Sequence, residues 1–174
     1  MKFLFPLLLL AIAAPAHAAL DEQQPPDEAP PLELADRAGR WHAIGDYRGQ
    51  VLVVNFWGSW CTPCVRELPG LNRLRQAFAG RPFEILGVNV AEHPNRLKRF
   101  LKQHPIEFPV LYDRESEAYY AWKVKALPTS FVIDRSGRVR YRAAGALEWD
   151  SMEIIGIIDE LLAEGEPPAA ATTP

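Results

Sequence analysis

Val51-Leu52-Val53-Val54-Asn55-Phe56-Trp57-Gly58-Ser59-Trp60-Cys61-Thr62-Pro63-Cys64 decides how this chain is read, and it holds both of the cysteines in 174 residues. Seven residues with one polar member form a continuous apolar run, the pattern of a strand buried on both faces. From Thr62 onward Val65, Leu68, Leu71, Leu74 and Phe78 recur at helical spacing, and Gly80 ends the pattern. The thiol pair therefore lies where a strand hands over to a helix. A helix N-terminus carries partial positive charge and unpaired N–H groups, which favour a thiolate at Cys61. The disulfide ring that two intervening residues allow is too small to constrain an unfolded chain usefully, so the pair reads as a redox device rather than a staple. A structural zinc site would need four ligands. There is no second cysteine pair, and His17, His42, His93 and His104 are not spaced to complete one. Cu(I), which two thiolates can hold, stays open.

Working outward, Lys2 followed by the leucine-rich run Phe3 to Ala14, with Ala16-His17-Ala18 behind it, fits a signal peptide cleaved after Ala18. The alternative is an uncleaved membrane anchor, against which Pro6, Pro15 and His17 interrupt the run. Export, to a periplasm, is the expectation. Residues 19–174 would remain, enough for one domain whose core needs no disulfide staples. The full chain has 19 basic and 22 acidic residues, so composition gives no reason to expect nucleic acid as a partner. Residues 19–31, with Pro25, Pro26, Pro30 and Pro31 among acidic neighbours, read as a stiff or disordered linker. Residues 164–174 read as a disordered tail, leaving 32–163 as the folded domain.

Within that domain, strand and helix patterns alternate. Leu32–Leu34 and Trp41–Ile44 suggest a small N-terminal hairpin. Phe83–Val90 is a second buried strand and Asn95–Gln103 a helix stopped by Pro105. Val110–Tyr112 is a short extended piece and Glu115–Trp122 a short helix. Ser130–Ile133 and Val139–Arg142 form a hairpin, and Asp150 with Glu153 suggests the cap of a last helix. The layout is α/β.

Three stretches together carry a resemblance. They are Asn55 through Cys64 with Glu67 three residues on, Leu127-Pro128-Thr129-Ser130-Phe131-Val132-Ile133-Asp134, and Glu148-Trp149-Asp150-Ser151. Residues 32–163 resemble the thioredoxin fold, and within it the TlpA/ResA group of exported thiol–disulfide oxidoreductases. The resemblance implies a central mixed β-sheet flanked by helices, with an N-terminal β-hairpin and an insertion before a cis-proline segment. It implies Cys61 as attacking thiol, Cys64 as resolving thiol and Pro128 as the cis-proline facing them. Leu127 would offer backbone groups to an extended substrate, with Trp60, Thr62 and Pro63 forming the rest of the docking surface. Asn55 stands where thioredoxin has a buried aspartate, and the carboxylate is moved to Glu67, expected to handle the Cys64 proton. A solvated surface glutamate beside Arg66 is the alternative reading of Glu67. Ala126 departs from the glycine of many relatives. Implied partners are proteins bearing disulfides or thiols and a membrane thiol electron donor, acting in cytochrome c maturation or copper-site assembly. No metal or organic cofactor is called for, and the chain is expected to be a monomer. The same fold can also run as an oxidant or isomerase, and a Cu(I) metallochaperone is the reading from a different class.

Elsewhere the sequence reading is plain. Trp57, Tyr119, Tyr120 and Trp122 are expected in the core, Pro69 has a structural part inside its helix, and Arg96, Lys98, Arg99 and Lys102 form a solvated helix face.

Overall fold

The computed structural model describes residues 18–164. The proposed signal segment, up to residue 17, and the tail from residue 165 lie outside the described residues.

The apolar run becomes β4 (Val51–Trp57), in which all seven residues are buried. It pairs in parallel with β5 (Phe83–Val90) and antiparallel with β7 (Thr129–Ile133), and so lies inside a six-stranded mixed sheet. The other members are β1 (Asp21–Glu28), β6 (Val110–Asp113) and β8 (Arg138–Ala144), in the order β1-β8-β7-β4-β5-β6. Helix α1 (Thr62–Ala77) crosses from β4 to β5, and α2 (Pro94–Gln103) from β5 to β6. The short α3 (Glu117–Ala121) follows β6, and α4 (Met152–Ala163) is the last helix among the described residues. The stretch carrying α2, β6 and α3 lies between β5 and the Leu127–Pro128 segment.

Because strand side chains alternate, β4 divides its residues between two cores. Val51, Val53 and Trp57 join α1, α2 and α4 on one face, with Leu71, Leu74, Leu97, Trp149 and Ile158. Leu52, Val54 and Phe56 face the other way, toward Leu32, Leu111, Trp122 and Phe131. Asn55 shares the parity of Val53 and Trp57, so it is a polar group on the α1 face. Two glycines permit close layers. A methyl group on Gly87 of β5 would lie 2.8 Å from the Phe108 ring and 3.1 Å from Trp57 Nε1. One on Gly70 of α1 would lie 3.1 Å from Asp150 Oδ1, so Gly70 lets the loop ahead of α4 approach the helix.

The expected hairpin forms between β2 (Glu33–Ala35) and β3 (Trp41–Ala43), and a bridge from Asp36 to Leu111 lays it along the β6 edge. A 3-10 turn at Ile44–Tyr47, with no counterpart in the sequence reading, leads into β4.

Two expectations are corrected. Residues 21–28 are not a spacer but β1, paired antiparallel with β8 at Asp21–Arg142, Glu22–Tyr141, Asp27–Val139 and Glu28–Arg138. The register breaks between Glu22 and Asp27, around the cis Gln24–Pro25 bond and Pro26, because prolines have no N–H for the ladder. The folded unit thus starts ahead of Leu32, and β1 covers what would otherwise be an open edge of the sheet. The cap of α4 is Ser151, whose hydroxyl accepts the Ile154 N–H, while Asp150 pairs instead with Arg73.

Candidate active site

Cys61 is the N-cap of α1, with Thr62 and Pro63 in its first turn, and its Sγ accepts the Cys64 N–H at 3.3 Å. The two cysteines are joined in a disulfide, Cα to Cα 5.3 Å. Cys64 is fully buried and Cys61 is 7% exposed, so Cys61 is the sulfur that an incoming group reaches first. Once the pair is reduced, a thiolate at Cys61 would sit against the free N–H groups and the positive end of α1.

The turn ahead of Cys61 is fixed from beneath. Glu92, buried at the end of the loop after β5, accepts hydrogen bonds from the Ser59 N–H at 3.0 Å, from the Ser59 hydroxyl and from Asn89 Nδ2. Ala91 before it adopts a left-handed φ of 49°, which turns the chain so that Glu92 points inward. Trp60 folds back over Gly58, where an added methyl would meet the indole at 2.8 Å, yet keeps 54% of its surface exposed. Neither Ser59 nor Glu92 was picked out from sequence, since the link joins positions 33 residues apart.

Glu67 is buried, so the solvated-glutamate reading does not hold. It lies one helical turn beyond Cys64 on α1. Asn55 Nδ2 donates to its Oε1 at 2.8 Å, while the Leu147 N–H and Trp149 Nε1 donate to its Oε2 at 3.1 and 3.0 Å. Burial raises its pKa from an ordinary 4.5 to about 7, with those three bonds pulling the other way. A carboxyl of that strength can take or give a proton near neutrality. The Asn55 amide also donates to Ser130 Oγ at 2.9 Å, and its Oδ1 has no partner among the described residues. Turning that amide over would present Oδ1 to a protonated Glu67, so both charge states of the carboxyl can be accommodated. Glu67 also lines a cavity of about 580 Å3 whose wall includes Arg66, Glu148, Ala19 and Leu20.

Leu127–Pro128 is cis. Pro128 is buried, and its C=O accepts the Gly145 N–H at 2.8 Å. Among the described residues neither the N–H nor the C=O of Leu127 finds a hydrogen-bond partner, so both remain available to an extended chain laid alongside. Ala126 keeps its turn through the Thr129 hydroxyl, which donates to its C=O at 2.8 Å.

The remaining sequence candidates divide. Trp57 and Trp122 are in the core as expected, but Tyr120 is 72% exposed. Helix α3 has five residues and cannot turn all its aromatics inward, and Trp122 takes the core position against Phe56 and Phe131. Arg96, Lys98, Arg99 and Lys102 are exposed, Arg96 also pairing with Glu92. Trp149, fully buried and bonded to Glu67, is a site residue to which the sequence reading gave no role.

Comparison with known proteins agrees with this geometry. Residues 25–142 match the model of the AhpC/TSA family. The chain is 40% identical over 119 residues to thiol-disulfide oxidoreductase ResA of Geobacillus thermodenitrificans, covering 68% of each chain. It is 35% identical over 112 residues to the ResA of Bacillus subtilis, 64% of this chain and 63% of that one. Among solved structures, a candidate thiol:disulfide interchange protein DsbE from Chlorobium tepidum superposes with a TM-score of 0.74 at 31% identity, over 83% of this chain and 99% of that one. A DsbF homologue from Corynebacterium diphtheriae, at 20% identity, shares the fold with a TM-score of 0.72, over 87% of this chain and 98% of that one. The chain belongs to the AhpC/TSA family, and it is a thiol–disulfide oxidoreductase of the thioredoxin fold.

Proposed function

We propose that this oxidoreductase works as a reductase of protein disulfides, exported by a signal peptide cleaved after Ala18 into an oxidising compartment. The observation that carries the exchange chemistry is Glu67, a buried carboxyl one helical turn behind Cys64 that accepts three hydrogen bonds and can take the Cys64 proton, while the direction of electron flow is set by the potential of the pair. In the reduced protein the Cys61 thiolate attacks a substrate disulfide, forming a Cys61–substrate disulfide and releasing one substrate thiolate, which takes a proton from solvent. The Cys64 thiol gives its proton to the Glu67 carboxylate and attacks the Cys61 sulfur. The second substrate thiolate leaves, taking the proton back from Glu67 or from solvent. Two electrons and two protons have then passed to the substrate, and the protein is left with its Cys61–Cys64 disulfide.

Leu127 and Pro128 would align the substrate segment beside Cys61, with Trp60, Thr62 and Pro63 as its flanking contacts. A membrane thiol donor would re-reduce the pair, and the partners would be proteins of cytochrome c maturation or copper-site assembly, met by a monomer. The relatives named ResA support the oxidoreductase core of this reading. Membrane attachment by an uncleaved N-terminal segment is the competing arrangement.

The test is the reduction potential of the Cys61–Cys64 pair, equilibrated against glutathione or dithiothreitol. A value at or below roughly −220 mV supports a reductase, whereas one near about −120 mV means a disulfide donor. Replacing Glu67 by Gln should shift the pH dependence of thiol exchange, and an unchanged profile removes Glu67 from the mechanism. Cu(I) that resists a competing chelator, in a protein that turns over no disulfide, would favour the metallochaperone.

A further inference from the structure

Beside the redox turn lies a groove of about 350 Å3 whose walls include Trp60, Val90, Tyr119, Tyr120, Lys125 and Leu127. Trp60 and Tyr120 are two of the four large apolar side chains that the described residues leave exposed, and they meet here. Two large exposed aromatics in one concave patch are the usual anchors of a binding surface rather than ordinary surface.

Helix α3 is built to hold this arrangement. Ser116 before it and Lys123 after it both take left-handed backbone angles, φ 60° and 52°, which side chains of this kind adopt only under constraint. Asp113 supplies the constraint by accepting the N–H groups of Ala118 and Tyr119 at 3.2 and 2.9 Å, and the buried Trp122 anchors the other end. Tyr119 and Tyr120, edge to face at 5.4 Å, are thereby turned toward the groove. Lys125 is the only charged side chain in its lining, and neither it nor Lys123 has an ion-pair partner among the described residues.

We propose that this groove selects the substrate. Its occupant is an extended segment of a disulfide-bearing protein that carries an aromatic side chain, and an acidic one next to it, within a few residues of the reacting cysteine. The aromatic group enters between Trp60 and Tyr120 while the carboxylate meets Lys125. The groove runs into the unpaired backbone groups of Leu127, so the same segment can hydrogen-bond there and present its sulfur to Cys61. The proposal rests on the reductase reading and adds to it the kind of protein that is reduced.

The experiment uses the reduced mature protein and short peptides whose single cysteine is held as a mixed disulfide with glutathione. One peptide carries Phe and Asp beside the cysteine, a second Phe and Lys, a third Ser and Asp. Second-order rates are followed by mass spectrometry. The wild-type protein should favour the first over the second by about threefold, the range of a partly solvated charge pair. It should favour the first over the third by roughly tenfold, as for one buried aromatic anchor. Lys125→Glu should reverse the Asp-over-Lys preference, and Tyr120→Ala should remove the Phe-over-Ser preference while leaving the charge preference in place. Equal rates for the three peptides, or preferences that neither variant alters, overturn the groove's role and leave the reductase reading standing. If the reduced wild-type protein reduces none of them, the reductase reading falls and the proposal with it.

Discussion

Replacing Glu67 by Gln converts the buried carboxyl into a measurable slope of stability against pH. Desolvation by burial holds the Glu67 pKa at about 7, while the unfolded chain returns it to 4.5. The folded state therefore binds this proton more tightly than the unfolded one. Its contribution to stability is complete below pH 4.5 and is lost as the pH rises toward 7. Over that interval the loss runs at about 1.4 kcal/mol per pH unit and reaches about 3 kcal/mol, after which it is level. Gln has no proton to lose, and with the Asn55 amide turned over it can keep its oxygen on the Leu147 and Trp149 donors. Urea unfolding of the oxidised proteins, in which no thiol titrates, should thus show the Gln variant gaining about 3 kcal/mol on the wild type between about pH 4.5 and about pH 8. Asp36 and Asp134, whose pKa values are lowered, titrate alike in both proteins and cancel from the difference. A difference that stays constant with pH would refute the argument, because exchanging an acceptor for a donor alone produces an offset without a slope.

Three more substitutions test the surroundings. Trp149→Phe removes the indole N–H from Glu67 Oε2 and leaves the carboxyl buried, so the midpoint of the thiol-exchange pH profile should move above that of the wild type. Ser59→Ala takes one donor from the buried Glu92 and should lower the unfolding free energy by about 1–3 kcal/mol, read from urea melts. Gly87→Ala drives a methyl into Phe108 and Trp57, and thermal unfolding should report a loss of about 1–3 kcal/mol. An unchanged melting temperature would mean that the two rings move aside at no cost.

Much of this site is legible in the sequence, for reasons of period and place. The apolar run of β4 and the cysteines at its end are local patterns, and each lands where its pattern puts it, whereas the cis Leu127–Pro128 bond follows only from the family resemblance. Glu67 is half legible. Its distance from Cys64 follows from helical spacing, but its burial depends on Trp149, 82 positions away, and on Gly70 letting that loop come close. The Ser59–Glu92 clamp is hidden for the same reason. Strand β1 escapes notice on different grounds. It joins the sheet through backbone hydrogen bonds while its side chains stay largely exposed, so no apolar alternation marks it. Tyr120 misleads because an aromatic residue in a short helix counts as core by composition, although the helix has room for only some of its rings to turn inward.

The pairing of β1 with β8 also bears on the order in which the molecule can assemble. Asp21 lies opposite Arg142, so the first strand among the described residues must wait for the last of them before it has anything to bond. Contacts of such long sequence separation cost the most loop entropy and form late in folding. The central strands and α1 can come together without it, since both strand partners of β4 lie within residues 83–133. The N-terminal strand is then the latch of the fold, closing after the redox centre exists and opening before it is lost. Amide exchange along residues 21–28 would accordingly run ahead of global unfolding, and the cavity wall at Ala19 and Leu20 beside Glu67 would open on the same clock.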